Sequence, residues 1–153
     1  LKDEEGRAAE EAYFHDLLGR EGEFLGLDGL YPSYRALDVA DIVVAIDTTL
    51  GYEAIARGTR TAMFSIRGSL LGIQGLTYGW PGDFADEGPF WTNRPDAKEF
   101  ERILDYLVEI DDVTWQKDVQ AGGFPGLMMY NSENSILRSI LETELGPKPL
   151  PQH

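Results

Sequence analysis

Apolar residues follow two different spacings along the chain, and together they predict an α/β fold. Helical spacing, in which apolar positions recur every three or four residues, predicts six helices. They are expected over residues 8–18, 33–40, 52–57, 95–110 and 113–119, and in a last segment that is capped by Asn131 or Ser132 and buries Ile136, Leu137, Ile140 and Leu141. Ser33 is expected to cap the start of the second of these helices, and Pro95 and Asp96 are expected to begin the fourth.

Uninterrupted apolar runs predict the strands. Residues 42–46 read IVVAI, apolar at every position and mostly β-branched, which is typical of a strand covered on both faces in a parallel sheet. A second strand is expected over residues 61–66, and shorter ones over 23–27 and 89–92. Strand, helix and strand fit between Ile42 and Ile66, a unit compact enough to predict a right-handed βαβ crossover.

The remaining segments predict one domain with a functional loop. Residues 68–88 form a long stretch rich in glycine and aromatic residues, and loops of that length are uncommon unless they carry function. We expect a single α/β domain over residues 1–145 and a proline-containing tail over 146–153. Because the first residue is Leu rather than Met, we expect the chain to be a fragment of a longer protein.

Composition narrows the classes of function. The chain has no cysteine and two histidines, His15 and His153, so we expect no disulfide and no metal site. Its net charge of −14 would repel nucleic acid, and no apolar run is long enough for a transmembrane segment. These features favour a cytoplasmic protein. The segment from residue 31 to 70 holds four acids and four bases, so an anionic ligand is most easily received there.

The turn at residues 47–51 (DTTLG) is the segment with the clearest chemistry. It joins the end of the 42–46 strand to a helix, and the first amides of a helix are donors without intrahelical partners at the positive end of its dipole. Thr48 and Thr49 add hydroxyl groups, and Gly51 would let a ligand approach the backbone. The turn is therefore expected to hold a phosphate or diphosphate. The simpler alternative is that Asp47 or Thr49 caps the helix and Gly51 permits the turn.

Three motifs add a resemblance to a known group of proteins. They are DTTLGYE at residues 47–53, FSIRG at 64–68 and GPFWTN at 88–93. Together they resemble bacterial surface-carbohydrate biosynthesis proteins. Residues 40–67, with a strand, a threonine-containing turn, Glu53 and Gly58, also resemble the donor-binding, C-terminal half of GT-B enzymes, which include glycosyltransferases, glycerophosphotransferases and nucleotide-sugar 2-epimerases. The resemblance covers residues 31–145. It implies an open, Rossmann-like parallel sheet flanked by helices.

The resemblance also implies a role for each matching residue. Asp47, Thr48, Thr49, Leu50 and Gly51 would hold the diphosphate of a nucleotide sugar. Glu53, on the first helical turn, would accept hydrogen bonds from ribose or sugar hydroxyls, and Arg67 would pair with phosphate. Trp80 and Tyr52 are candidates for stacking on the sugar or base. Asn93 and Arg94, which follow the 89–92 strand, are expected to line the same cleft.

Two classes of function remain open from the sequence. In the first, the chain is the nucleotide-sugar-binding domain of a glycosyltransferase of surface carbohydrate biosynthesis, or half of a 2-epimerase or glycerophosphotransferase. It would then lack an N-terminal acceptor domain that supplies the catalytic base, and the isolated chain would be inactive. In the second, it is a non-catalytic module that binds a protein partner. No residue is identified as catalytic, and no cofactor is expected besides the donor substrate.

Overall fold

A computed structural model describes residues 4–18 and 31–146 of the chain. The chain divides into two compact units, Leu1–Val39 and Ala40–His153. The expected single domain over residues 1–145 stays a prediction. The strand expected at 23–27 and the tail beyond Gly146 lie outside the described residues.

Two helices belong to the first unit. Helix α1 spans Glu4–Leu18 and begins earlier than the apolar spacing indicated. Helix α2 spans Pro32–Leu37, so the expected start at Ser33 and end at residue 40 are both wrong. The helix begins one residue earlier because Pro32 supplies a fixed φ at the first helical position, and Tyr31 before it adopts a left-handed conformation with no side-chain cap.

The second unit is built on a three-stranded parallel sheet. Strands β1 (Ile42–Ile46), β2 (Arg60–Phe64) and β3 (Trp91–Thr92) pair in the order β1-β2-β3. The α/β fold with a parallel sheet flanked by helices is therefore confirmed. Helix α3 (Thr49–Ala56) joins β1 to β2 and begins three residues before the expected start at Tyr52. Gly58 follows its C-cap Arg57 at the expected position, with a φ of +95° that is easily adopted only by glycine.

Helices lie on both faces of this sheet. Gly51 of α3 lies against Ala45 and Met63, whereas the ring of Phe64 stacks at 4.3 Å on Phe100 of helix α5 (Ala97–Glu109). Because neighbouring residues of a strand point to opposite faces, α3 and α5 cover opposite sides of the sheet.

The expectation that β1 is covered on both faces is wrong. Val44 and Ile46 are each 53% exposed. They pair in register with Ala62 and Phe64, which places them on the face that α5 covers. Since α5 packs on β2 and β3, its side chains leave the β1 part of that face open.

The long 68–88 segment is more ordered than its glycine content suggests. It is entered through a short helix, α4 (Arg67–Leu71), and Glu87 pairs with Thr92 in an antiparallel bridge. Tyr78 lies fully buried in this segment and stacks on Trp91 with ring centres 4.6 Å apart. The segment is therefore anchored in the core by its aromatic residues.

The last helices differ in how much they bury. Asp96 and Asp111 cap α5 and α6 (Asp112–Ala121), and a 3₁₀ turn (Phe124–Gly126) follows. Helix α7 (Ser135–Leu145) is preceded by Asn134 rather than capped by Asn131 or Ser132, although the Asn131 side chain accepts a hydrogen bond from the Ser135 amide. The apolar side chains of α7 that were expected to be buried are exposed, namely Ile136, Leu137, Ile140 and Leu141.

Residues 4–18 and 31–146 contain no helix with the length and apolar character that crossing a bilayer requires. A cytoplasmic location stays a prediction.

Candidate functional site

The carboxyl ends of the three parallel strands meet at one edge of the sheet, where ligands of open α/β sheets bind. Asp47 follows β1, and Arg67 begins α4 shortly after β2. The Arg67 amide donates to Oδ2 of Asp47 at 2.8 Å, and the Asp47 amide donates to the Phe64 carbonyl at 3.3 Å. The structure therefore brings the 47–51 turn and Arg67 together, as the sequence predicted.

Asp47 links the 47–51 turn to the segment that follows β2. Its φ of +47° is unusual for a non-glycine residue, and aspartate is among the residues that tolerate it best. Its carboxylate already accepts the Arg67 amide, and a second anion would be repelled by its charge. Asp47 thus positions the neighbouring donors rather than supplying one to a phosphate.

Some backbone amides of the 47–51 turn already donate hydrogen bonds within the protein, so only the others could donate to an anion. Thr48 is the N-cap of α3, and its hydroxyl oxygen accepts from the Leu50 amide at 3.3 Å. The Gly51 amide donates to the Thr48 carbonyl at 3.2 Å. Thr49, the first residue of the helix, is exposed, and no hydrogen bond of its hydroxyl is seen to other described residues. The donors left for an anion are therefore centred on Thr49.

Gly51 has a different role from the one expected. It is buried on the side of α3 that faces the sheet, and a Cβ at this position would lie 2.5 Å from both the Ala45 Cβ and the Met63 sulfur. Its missing side chain lets the helix approach the sheet and does not open the backbone to a ligand.

Arg67 is the strongest cationic candidate at this edge. Its side chain is exposed and makes no ion pair with any residue in the described ranges. Arg60, by contrast, is at the opposite end of β2 and pairs with Asp112 at 2.6 Å. The backbone of Arg67 is bonded to Asp47 in the turn before α3, and its exposed guanidinium adds a positive charge to this part of the molecule.

The two aromatic candidates differ sharply. The Tyr52 ring stacks on Tyr78 and Phe124, at 5.7 and 6.3 Å between ring centres, and its hydroxyl accepts from the Gly79 amide. Tyr52 is therefore part of the packing of the 68–88 segment. Trp80 is 67% exposed and keeps a ring that a ligand could stack on.

Glu53 is partly buried as the fifth residue of α3, so it lies beyond the first turn where the sequence placed it.

Asn93 and Arg94 follow β3 at the same edge of the sheet. They line an open cleft together with α4 and the loop after it. In the described part of the chain, no three histidine or acidic side chains are grouped as a metal ion would require.

The motifs at 64–68 and 88–93 owe much of their composition to packing. A Cβ on Gly68 would lie 2.2 Å from the Leu76 carbonyl oxygen, and one on Gly88 would lie 2.2 Å from the Trp91 ring. The Trp91 indole donates to the Ala85 carbonyl at 3.0 Å. Gly68, Gly88 and Trp91 are therefore explained by packing at the sheet edge.

Comparison with known proteins adds one finding. The model of a protein family described as "putative O-antigen biosynthesis protein" matches residues 2–145. Neither the curated proteins nor the solved structures include a match to this chain.

Proposed function

The chain belongs to this O-antigen biosynthesis family, and on that premise we propose that it is the nucleotide-sugar-binding domain of a glycosyltransferase that builds surface carbohydrate. Assembling a polysaccharide requires sugar units activated by a good leaving group, and a nucleoside diphosphate is such a group. We extend the proposal to the fold: the three-stranded sheet corresponds to part of the C-terminal half of a GT-B fold.

One observation carries the proposal: the bond between the Arg67 amide and the Asp47 carboxylate. It holds Thr49 and the exposed Arg67 at the same sheet edge, beside the positive end of α3. Helix amides, hydroxyl groups and an unpaired guanidinium are the groups that bind diphosphates in proteins. No other edge of the sheet combines them among the described residues, because Arg60 at the opposite edge already has its partner.

The proposed chemistry is displacement at the sugar carbon that bears the diphosphate. An acceptor oxygen forms a bond to that carbon, the carbon–oxygen bond to the diphosphate breaks, and the nucleoside diphosphate leaves with the electron pair. Arg67 and the Thr49 end of α3 neutralise the charge that develops on the leaving group. Trp80 is the side chain placed for stacking, and Glu53 would accept hydrogen bonds from hydroxyls.

The proposed site is half of a catalytic site. The base that activates the acceptor would come from a second domain, which is also needed to exclude water and align the reactants. We therefore expect the isolated chain to bind nucleotide sugars weakly and to catalyse no transfer.

A thermal-shift panel of UDP-, CDP-, GDP- and CMP-sugars tests the proposal. A ligand at a hundred times its Kd stabilises the folded state by about 2.7 kcal/mol. At least one member should raise the Tm of the wild type, and Thr49→Val with Arg67→Gln should abolish that shift. This double variant leaves the Thr48 cap in place.

Arg138→Gln is the matched control, since Arg138 is another exposed arginine without an ion pair to the described residues and lies on α7. It should keep the full shift. A shift that survives the double variant, or no shift with any member of the panel, contradicts the proposal.

A further inference from the structure

The cleft lined by Asn93 and Arg94 lies at the carboxyl edge of the sheet, and the residues assigned to the diphosphate do not line it. Its volume is about 480 Å³, within the range of roughly 300–1,000 Å³ found for small-molecule sites. One wall is formed by α4 and the loop that follows it, and the other by Asp86 and the residues after β3. Among the described residues, those assigned above to the diphosphate or to stacking do not line it.

Both walls of the cleft are fixed by short contacts. Gly68 lies so close to the Leu76 carbonyl oxygen that a Cβ would be 2.2 Å from it, which joins α4 directly to the following loop. Asn93 is only 7% exposed, and its Oδ1 accepts from the Tyr78 amide at 2.8 Å. Its Nδ2 donates to Oδ1 of Asp86 at 3.3 Å, and its backbone amide donates to the Asp86 carbonyl at 2.8 Å. Asp86 is thereby held in place at the rim.

The residues that line this space carry polar side chains of several kinds. They comprise two hydroxyls, two amides, one carboxylate and one guanidinium, from Ser69, Thr77, Gln74, Asn93, Asp86 and Arg94. Oδ2 of Asp86 accepts no hydrogen bond from other residues in the described ranges. The cleft therefore presents both donors and acceptors that a ligand can use.

The charges of the lining argue against a second phosphate. The Arg94 guanidinium lies 3.6 Å from the Glu87 carboxylate, and Asp86 adds another negative charge. No aromatic side chain lines the cleft among the described residues, so a nucleobase would find no ring to stack on. A neutral ring with several hydroxyls fits, because each hydroxyl both donates and accepts.

We propose that this cleft binds a neutral sugar unit, with Asp86 accepting from its hydroxyls and Arg94, Ser69 and Thr77 completing the contacts. Gly68 and Ser69 follow Arg67 directly along α4, so the cleft adjoins the proposed diphosphate site. The inference rests on the proposed function in taking this sugar to be the one a nucleotide carries. The capacity of the cleft to bind a sugar does not depend on it.

Titration calorimetry on the whole chain separates the two claims. UDP, GDP and CDP are compared with UDP-glucose, GDP-mannose and CDP-glucose, and saturation-transfer NMR is recorded with the methyl glycosides of glucose, galactose, mannose and N-acetylglucosamine. The wild type should bind a nucleotide sugar at least tenfold more tightly than the matching nucleoside diphosphate. It should also give saturation transfer to a methyl glycoside.

Asp86→Asn removes the charge and keeps an oxygen that can accept from Asn93. It should remove the tenfold advantage and the saturation transfer while leaving nucleoside diphosphate binding within twofold. Asp83→Asn, the same change at an exposed site in the same segment that does not line the cleft, should alter neither. Thr77→Val is the second variant if Asp86→Asn fails to fold.

Each outcome decides one claim. Saturation transfer that Asp86→Asn removes, with no nucleotide bound at all, upholds the cleft and refutes the proposed function. Equal affinities for nucleotide and nucleotide sugar with no saturation transfer overturn the cleft, as does a variant that weakens both ligands equally.

Discussion

Gly51 illustrates how a single residue fits two interpretations until its neighbours are known. In the sequence it suggested access for a ligand, because glycine has no Cβ that would block an approach to the backbone. In the structure it packs against the sheet, and no local pattern could reveal that, since Met63 comes from another strand. The N-cap of α3 is Thr48 rather than Asp47 or Thr49, the two cap candidates from the sequence, and threonine is a preferred N-cap residue.

Adding a methyl group at position 51 should destabilise the fold. The Cβ of Gly51→Ala would meet the Ala45 Cβ and the Met63 sulfur at 2.5 Å, and such overpacking costs about 1–3 kcal/mol. Urea unfolding of the variant measures this. Gly126→Ala is the control, because nothing lies within 4 Å of the position that its methyl group would take, and its stability should change little.

Two buried or half-buried tyrosines should respond oppositely to loss of the hydroxyl. The Tyr78 hydroxyl has no hydrogen-bond partner in the described part of the chain, and burial raises the pKa of Tyr78. The Tyr106 hydroxyl donates to Asp118 at 2.6 Å. Tyr78→Phe should be neutral or stabilising, whereas Tyr106→Phe should cost about 1.5 kcal/mol in urea unfolding. Equal losses in both variants would contradict this account.

At the scale of elements, apolar patterning located most helices and strands but not which of their faces are covered. The strand Ile42–Ile46 was predicted with the same bounds that the structure shows. Which of its faces is exposed depends on the position of α5, and the sequence of β1 alone does not determine that position. Helix α4 was missed because its five residues, one of them glycine, carry too little periodicity. The cleft beside it was missed for the same reason, although Asn93 and Arg94 were expected to face a ligand.

Helix α7 offers the clearest test of the difference between an exposed and a covered helix face. Ile140 is exposed, so Ile140→Glu should change the free energy of unfolding by less than about 0.5 kcal/mol. Ile103, on α5, is fully buried, and Ile103→Ala should cost about 2–5 kcal/mol. Urea unfolding of the two variants compares them directly, and a large loss from Ile140→Glu would show that α7 packs against something essential.

The N-cap of α6 should titrate at acid pH. The hydrogen bond from the Thr114 amide, at 2.8 Å, lowers the pKa of Asp111 below its usual 3.8. A lowered pKa in the folded state stabilises that state above the unfolded value, and the stabilisation is lost as the pH falls through the folded value. Carboxyl ¹³C titration should therefore give Asp111 a pKa under 3.8, and a value at or above it would show that the cap does not form. Asp111→Asn should keep the cap without this acid dependence.

At the scale of the whole molecule, the chain is acidic, yet we expect it to bind an anionic ligand at one place where the local charge is not negative. The net charge of −14 would repel a nucleotide, but the carboxyl edge places the start of α3 and the exposed Arg67 together. The sequence could predict that edge because parallel strands align their carboxyl ends. It could not predict that the Asp47 carboxylate is bonded to the Arg67 amide, since that bond joins residues that follow two different strands.

Mapping a bound nucleoside diphosphate by ¹⁵N–¹H NMR tests the central claim most directly. On titration of UDP, CDP or GDP into the labelled chain, we predict chemical-shift changes centred on Thr48, Thr49 and Arg67. The amides of Arg60 and Asp112, at the opposite end of the sheet, should stay unchanged. Changes centred on that opposite end, or none with any of the three nucleotides, would contradict the account.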